Sequence, residues 1–375
     1  MPTDLACPDC GRRYDAGPDE PWRCDCGRPL EFAERPLPEG PAPDFAELDT
    51  RKGLWAFEEF LPVSPRVTLG EGFTPLVDAE GDSGSAGDWD ANVRFKLEYV
   101  FPSGSFKDRG ATATLSRAAE LGVRKVVEDS SGNAGAAIAQ YAARAGVDAD
   151  IYVPADAKES KLAAIERVGA TPVQVEGTRQ DVTDACIEAV ESADEAGWYA
   201  SHAWNPAFFA GTQTVAFEVA AQRGWDVPDA VVTPLGHGTL FLGAYRGFRA
   251  LKEAGWTDEM PTLLGAQAAG YAPIAAELHG AEAADGDNST ADGIQIVDPV
   301  RKDQILDAVE ETGGDAIALD EEPVDAALDR LRRAGFYVEP TSAVAPAAVA
   351  AYRERGVLDA DDDVVVPLTG SGLKS

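Results

Sequence analysis

A lysine that could act as a nucleophile lies in the segment FPSGSFKDRG, residues 101–110. Lys107 follows an alternating apolar pattern that begins at Val93, and an alanine-rich helical pattern begins near Gly110. The lysine is therefore predicted at a strand-to-helix turn. A lysine that is partly desolvated there loses its proton and becomes a nucleophile towards aldehydes, which is what a Schiff base with pyridoxal phosphate requires. A solvated lysine in a helix-start loop is the alternative.

Two glycine-rich loops could hold anions. SSGNAG, at 130–135, follows a predicted strand at 125–128, and GHGT, at 236–239, follows one at 230–234. Each loop precedes a helical pattern. Glycines let the backbone approach an anion closely, and the amides at a helix N-terminus then bind it. We predict a carboxylate cradle in the first loop and a phosphate cradle in the second; ordinary helix-capping turns are the alternative.

Four cysteines near the N-terminus have the spacing of metal ligands. Cys7-x2-Cys10 and Cys24-x-Cys26 both lie in glycine-bearing knuckles, and four such thiolates can surround a zinc ion. Residues 1–34 are too few to bury a stable core without a bound metal or disulfide bonds. Nothing in the sequence indicates secretion, so a structural zinc is favoured over disulfides.

The elements that position these segments are predicted to be of the α/β class. From residue 91 onward, apolar strand patterns alternate with alanine-rich helical patterns. Strands are predicted at 125–128, 149–153, 171–175, 230–234, 261–266, 316–319 and 363–368, and helices at 133–145, 157–168, 179–194, 239–254, 271–280 and 323–334. This alternation indicates mainly parallel sheets covered by helices.

The chain is strongly acidic. Among 375 residues, 65 are acidic and 32 basic, which gives a net charge of −33. Nucleic acid and anionic membranes are therefore excluded as expected partners. No apolar run approaches the roughly 18 residues of a membrane span, and the N-terminus lacks a signal-peptide pattern, so a cytoplasmic protein is expected. Acidic residues are spread along the chain, and salt would screen the repulsion between their carboxylates. We therefore expect a halophilic cytoplasm.

Further motifs complete a recognisable order along the chain. After Lys107 come SSGNAG, GHGT, EPTSA at 339–343 and LTGSGLK at 368–374. The run from about residue 73 to 374 resembles the fold-type II pyridoxal phosphate enzymes and, within them, the threonine synthases. The resemblance implies two α/β domains, a smaller one inserted into a larger, with the cofactor between them, and it implies a homodimer.

The resemblance and the composition together predict five segments. They are a zinc-ribbon-like piece at 1–34, a proline-rich linker at 35–66, the large domain at 67–105 and 205–375, and the small domain at 106–204.

The resemblance also implies roles for individual residues. Lys107 is the catalytic residue, which binds the cofactor and then takes the α-proton of a small amino-acid substrate. Thr369 bonds the pyridine nitrogen, and a neutral hydroxyl there favours elimination and replacement over transamination. The remaining expected cofactor contacts are Phe106, Asn133, Gly236, His237, Gly238, Thr239 and Glu339. The substrate contacts are Ser130, Ser131, Gly132, Asn133 and His202.

One segment departs from the threonine synthase pattern. In HAWNPAFFAGTQTVAFE, residues 202–218, Phe208 stands where the pattern has a phosphate-binding arginine, and Gln213 replaces a lysine. A phosphoryl group is best bound by a guanidinium, which phenylalanine cannot supply. The substrate phosphate would then need other groups, such as His202 with Arg179 or Lys161.

Three functions follow from these observations. The first is a threonine synthase, which converts O-phosphohomoserine and water into threonine and phosphate. The second is a serine or threonine dehydratase-like lyase that acts on an unphosphorylated amino acid. The third is a non-catalytic binding module. A site without catalysis would not require the lysine together with both glycine-rich loops, which argues against this alternative. We therefore predict a pyridoxal phosphate-dependent lyase.

Overall fold

The computed structural model describes residues 2–80, 89, 92–192 and 197–374. The chain forms two compact units. Unit 1 comprises Met1–Pro38, Thr50–Gly72 and Lys107–Thr212, and unit 2 comprises Glu39–Asp49, Phe73–Phe106 and Gln213–Ser375. The units begin and end at other residues than the five segments expected from the sequence, and that assignment stays a prediction.

Strands and helices alternate through most of the described chain. The strands are β1 Leu5–Ala6, β2 Arg13–Tyr14, β3 Glu31–Phe32, β4 Leu76–Asp78, β5 Val93–Lys96, β6 Lys125–Glu128, β7 Asp148–Pro154, β8 Thr171–Val175, β9 Trp198–Tyr199, β10 Ala230–Pro234, β11 Thr262–Ala268, β12 Asp315–Leu319 and β13 Val364–Pro367. The helices are α1 Lys107–Leu121, α2 Asn133–Ala145, α3 Glu159–Arg167, α4 Arg179–Glu191, α5 Pro206–Thr212, α6 Thr214–Gln222, α7 Thr239–Glu253, α8 Pro273–His279, α9 Lys302–Glu311, α10 Glu321–Arg333 and α11 Val344–Glu354.

Each unit is built on a sheet with parallel pairing. In unit 1 the strand order is β8-β7-β6-β9, and all neighbours are parallel. In unit 2 the order is β12-β11-β10-β13-β5-β4, in which only the β4–β5 pair is antiparallel. The small antiparallel sheet β2-β1-β3 belongs to unit 1. The predicted α/β class with mainly parallel sheets is confirmed.

The apolar runs form strands because they are buried on both faces. All residues of β10 and β13 are buried, as continuous apolar runs in parallel sheets require. The predicted strand 125–128 and helix 133–145 have the observed bounds of β6 and α2. Helices α5, α6, α9 and α11 were not predicted. Residues 193 and 194 of the predicted helix 179–194 lie outside the described residues. Among the described helices, none combines the length and apolar character needed to cross a bilayer.

A fully buried ion pair joins β5 to α6 in unit 2. The Nζ atom of Lys96 lies 2.8 Å from Oε2 of Glu218, and neither side chain is exposed. Lys96 also donates to the carbonyl of Thr74 at 2.6 Å and to Oε1 of Gln222 at 2.9 Å. The surrounding hydrogen bonds stabilise both charges, which would otherwise be costly to bury.

Replacing one partner of this pair tests its importance. Lys96→Met should lower the free energy of unfolding by about 3–5 kcal/mol, because the Glu218 carboxylate stays buried without its cation. Arg94, on the same strand, pairs at the surface with Asp78, so Arg94→Met should cost less than about 1 kcal/mol. Denaturant unfolding measures both, and equal losses would contradict this account.

Candidate active site

Lys107 begins the helix α1 in unit 1. Asp108 follows it in the first turn, where a carboxylate is favoured by the helix dipole. The Nζ atom of Lys107 lies 5.9 Å from the ring centroid of Phe208, within the range of a cation–π contact. The lysine is thus at a strand-to-helix turn, as the sequence predicts.

Helices α1 and α5 approach each other through glycines. A Cβ atom on Gly110 would lie 2.2 Å from Cδ1 of Phe208, and one on Gly211 would lie 1.8 Å from the carbonyl oxygen of Arg109. A larger residue at 211 would have to displace the backbone of α1, and one at 110 would have to displace the Phe208 ring. The Phe208 side chain is fully buried in this contact. Position 208 is therefore a core position facing α1.

The SSGN loop leads from β6 into α2. Oγ of Ser130 accepts a hydrogen bond from the Gly132 amide at 3.3 Å. A Cβ atom on Gly135 would lie 1.8 Å from the Ser130 carbonyl oxygen, so glycine is required for the loop to cross the helix start. Ser131, Gly132 and Asn133 are partly exposed, and the first amides of a helix have no partner within it. The loop is therefore suited to bind an anion.

His202 is bound to a carboxylate that the sequence analysis did not identify. Its Nδ1 atom lies 2.7 Å from Oε1 of Glu128, and its backbone amide donates to Oε2 at 3.3 Å. Glu128 is fully buried at the end of β6. Burial and the neighbouring Asp129 charge raise the pKa of Glu128 well above its ordinary value, whereas the His202 amide and the Lys107 charge lower it. A glutamate at the end of an apolar strand, directly before an anion loop, was the available signal.

His202 and Lys107 lie near the same aromatic ring. The His202 ring centroid is 6.0 Å from that of Phe208, and the Nζ atom of Lys107 is 5.9 Å from the same Phe208 centroid. Unit 1 therefore brings together the predicted catalytic lysine and a predicted substrate contact. Arg179 begins α4 and is exposed, and Lys161 lies half-buried on α3.

In unit 2, the GHGT loop connects β10 to α7. Gly238 has a φ of 76°, in the left-handed region, and a Cβ atom there would lie 2.6 Å from Cδ1 of Ile305. A Cβ atom on Gly236 would lie 3.2 Å from Cα of Ile294. The left-handed φ and the contact with Ile305 thus both favour glycine at 238. The loop ends at the N-terminus of a 15-residue helix, where amides and the dipole favour a phosphate.

Thr369 lies in a buried hydroxyl cluster of unit 2. Its Oγ1 is 3.0 Å from Oγ of Ser342, which also accepts from the Gly370 amide at 2.8 Å. The Thr369 carbonyl accepts from the Phe106 amide at 3.0 Å. A Cβ atom on Gly370 would lie 2.2 Å from Oε1 of Glu339, so that side chain covers the glycine. Ser342 was not predicted, although it lies within EPTSA.

The family model described as pyridoxal-phosphate dependent enzyme matches residues 67–370 of this chain. The chain belongs to the pyridoxal-phosphate dependent enzymes. Among curated relatives, the threonine synthase of Methanocaldococcus jannaschii is 36% identical over 98% of this chain and 92% of its own length. The threonine synthase of Methanosarcina acetivorans is 34% identical over 88% of this chain and 82% of its own length. That of Mycobacterium tuberculosis is 32% identical over 85% of this chain and 87% of its own length.

Two solved structures share the fold of this chain. Maize serine racemase superposes with a TM-score of 0.67 at 21% identity, covering 88% of this chain and 94% of that one. Threonine deaminase isoform 2 from Solanum lycopersicum superposes with a TM-score of 0.66 at 23% identity, covering 90% and 87%. At these identities the likeness shows the fold alone.

The four N-terminal cysteines of this pyridoxal-phosphate dependent enzyme lie outside the matched residues. Their Sγ atoms all lie within 4.8 Å of one another. Zinc–sulfur bonds of about 2.3 Å in a tetrahedron place sulfurs roughly 3.8 Å apart, and Cys7 is 3.6 Å from Cys26 while Cys10 is 3.5 Å from Cys24. The Cys26 amide and the Tyr14 hydroxyl lower the pKa of Cys24 to about 6. For Cys26 the Arg28 amide lowers the pKa, but the hydrogen bond to Cys24 and desolvation raise it to about 12, so the thiols do not ionise together without a cation. The cluster could hold a metal ion.

The close approach of α1 and α5 can be tested with one methyl group. Gly211→Ala should lower the free energy of unfolding by about 2 kcal/mol or more, because the new Cβ meets the Arg109 backbone. Gly17 has open space around it, so Gly17→Ala should change stability by less than about 0.5 kcal/mol. Chemical unfolding compares the two, and a neutral Gly211→Ala would refute the proposed contact.

Proposed function

We propose that this chain is a pyridoxal phosphate-dependent threonine synthase, which converts O-phosphohomoserine and water into threonine and phosphate. The observation that carries the proposal is the similarity to a threonine synthase over 98% of the chain at 36% identity. The arrangement of Lys107 and the anion loops at helix starts supports it.

The residues present fit the cofactor. We propose that Gly236, His237, Gly238 and Thr239 bind its phosphate, since this loop bends through a left-handed glycine at 238 and leads into the N-terminus of α7. We propose that the Thr369 hydroxyl bonds the ring nitrogen, while Phe106, Asn133 and Glu339 border the ring. Bound pyridoxal phosphate would supply an aldehyde for lysine and a ring that delocalises the electron pair left at the substrate α-carbon.

Lys107 and the SSGN loop would then handle the amino acid. Lys107 Nζ holds the cofactor and, once released by the substrate amine, accepts the α-proton. Ser130, Ser131, Gly132 and Asn133 bind the α-carboxylate through the amides at the start of α2 and the serine hydroxyls. With the carboxylate and the amine held, the substrate's distal phosphate needs a separate cation.

We assign that phosphate to His202, with Arg179 or Lys161 as further cations. Phe208 is buried and carries no charge, so it cannot take the part of an arginine. The same residue favours a second candidate, a dehydratase-like lyase that acts on an unphosphorylated serine or threonine. The two functions share Lys107 and the carboxylate loop and differ in whether the substrate carries a phosphate.

The proposal extends to the setting of the enzyme. A net charge of −33 supports a cytoplasm rich in salt, because counter-ions screen repulsion between surface carboxylates. We also propose a homodimer and a structural zinc bound by Cys7, Cys10, Cys24 and Cys26.

A product assay decides between the candidate functions. With pyridoxal phosphate supplied in high potassium chloride, the wild-type chain should release phosphate and threonine together from O-phosphohomoserine. Lys107→Ala should lower the rate at least about a thousandfold, because it removes the nucleophile and the base. Formation of 2-oxo acid from threonine or serine, with O-phosphohomoserine ignored, would favour the dehydratase. Activity that survives dialysis into low salt would contradict the halophilic surface.

The zinc proposal has its own test. Metal analysis of the purified chain should find about one zinc ion per chain, and Cys24→Ala should lose it and lower the melting temperature. Cys186→Ala is the matched control, because Cys186 is a buried thiol outside the cluster. Zinc retained in Cys24→Ala, or absent from the wild type, would reject the site.

A further inference from the structure

Glu128 and His202 form a hydrogen-bonded pair at the edge of the candidate active site. The two residues are 74 positions apart in the chain, and two contacts join them, from Nδ1 and from the backbone amide of His202. The carboxylate is fully buried, whereas the imidazole retains 13% of its side-chain exposure. A ligand can therefore reach the imidazole but not the carboxylate behind it.

Four titratable groups face the pair, and two of them are charged. Asp129, next to Glu128 on the chain, adds a negative charge, and Lys107 on α1 adds a positive one. The Tyr199 phenol on β9 and the Cys186 thiol on α4 face the same carboxylates, but burial raises the pKa of both, so they stay neutral at physiological pH. The Glu128 carboxylate is hydrogen-bonded to His202 through both the ring and the backbone amide.

We propose that Glu128 is a positioning residue that orients His202 and keeps its ring protonated, so that the imidazolium binds the substrate phosphate in place of a guanidinium at position 208. The inference rests on the proposed function and deepens it. A protonated ring 2.7 Å away stabilises the ionised form of Glu128 and so opposes the rise in its pKa that burial causes, and the pair then makes a charge-assisted hydrogen bond. The second N–H of the imidazolium, at Nε2, is the donor that we assign to the substrate phosphate. Phe208, at 6.0 Å from the ring, limits its movement through packing.

The neighbouring acid provides a matched control. Asp129 accepts hydrogen bonds from Oγ1 of Thr183 at 2.7 Å and from the Tyr199 hydroxyl at 2.9 Å. Asp129→Asn removes one negative charge beside Glu128 and leaves the contact with His202 in place. Glu128→Gln removes the charge at the contact itself and keeps the side-chain volume.

A titration of the histidines tests the pair without turnover. The chain has three, His202, His237 and His279, so ring signals of a histidine-labelled holoenzyme can be followed one by one by NMR. Glu128→Gln should lower the midpoint of the His202 titration by about one pH unit or more, and Asp129→Asn by less than about half a unit. A midpoint that Glu128→Gln leaves unchanged would overturn the inference.

Phosphate binding tests what the charged ring does. Inorganic phosphate should inhibit the wild-type holoenzyme in competition with O-phosphohomoserine. At pH 7.5, Glu128→Gln should raise both the inhibition constant and KM about tenfold with a smaller change in kcat, whereas Asp129→Asn should change them less than about threefold. Glu128→Asp, which keeps the charge, should recover part of the loss and also serves if Glu128→Gln folds poorly.

The outcomes separate this inference from the proposed function. A wild-type enzyme that makes threonine, with Glu128→Gln equal to Asp129→Asn in phosphate inhibition, overturns the inference and leaves the function intact. A wild-type enzyme that ignores O-phosphohomoserine refutes the proposed function and, with it, the phosphate assignment. The His202 titration still decides in that case whether Glu128 holds the ring protonated.

Discussion

The close contact between α1 and α5 is the constraint on which unit 1 depends. Two glycines, Gly110 and Gly211, let the helices approach until the backbone of one meets the other, and Phe208 fills the space beside Gly110. Because Lys107 begins α1, this contact sets where its amine can lie. The same ring borders His202, so one packing arrangement places both a nucleophile and a phosphate-binding candidate.

Both anion loops use the same physical device. In each unit a buried parallel strand ends, a short glycine-bearing turn follows, and a helix begins with amides that have no partner within the helix. Glycine is needed at 135, where a Cβ atom would meet the Ser130 carbonyl oxygen of the same loop, and at 238, where φ is in the left-handed region. Similar local geometry can therefore serve a carboxylate in one unit and a phosphate in the other.

The departure at position 208 gains a physical explanation from the tertiary structure. A phenylalanine there removes a cation from the pattern, but the ring is buried against α1 and contributes packing instead. His202 lies 6.0 Å from that ring, between centroids, and is hydrogen-bonded to the buried Glu128, so the proposed charge on its imidazole would be held by a buried carboxylate. Loss of the guanidinium is thus compatible with a phosphorylated substrate.

The sequence alone determined the features that depend on local patterns. The strand at 125–128, the helix at 133–145, the α/β class and the turn at Lys107 were predicted because hydrophobic periodicity and glycine placement act over a few residues. The contacts of Glu128 with His202, Lys96 with Glu218 and Ser342 with Thr369 were decided only by the tertiary structure. Each joins residues far apart in the chain, and such pairs form only when strands and helices pack together and bury polar groups that must then find partners.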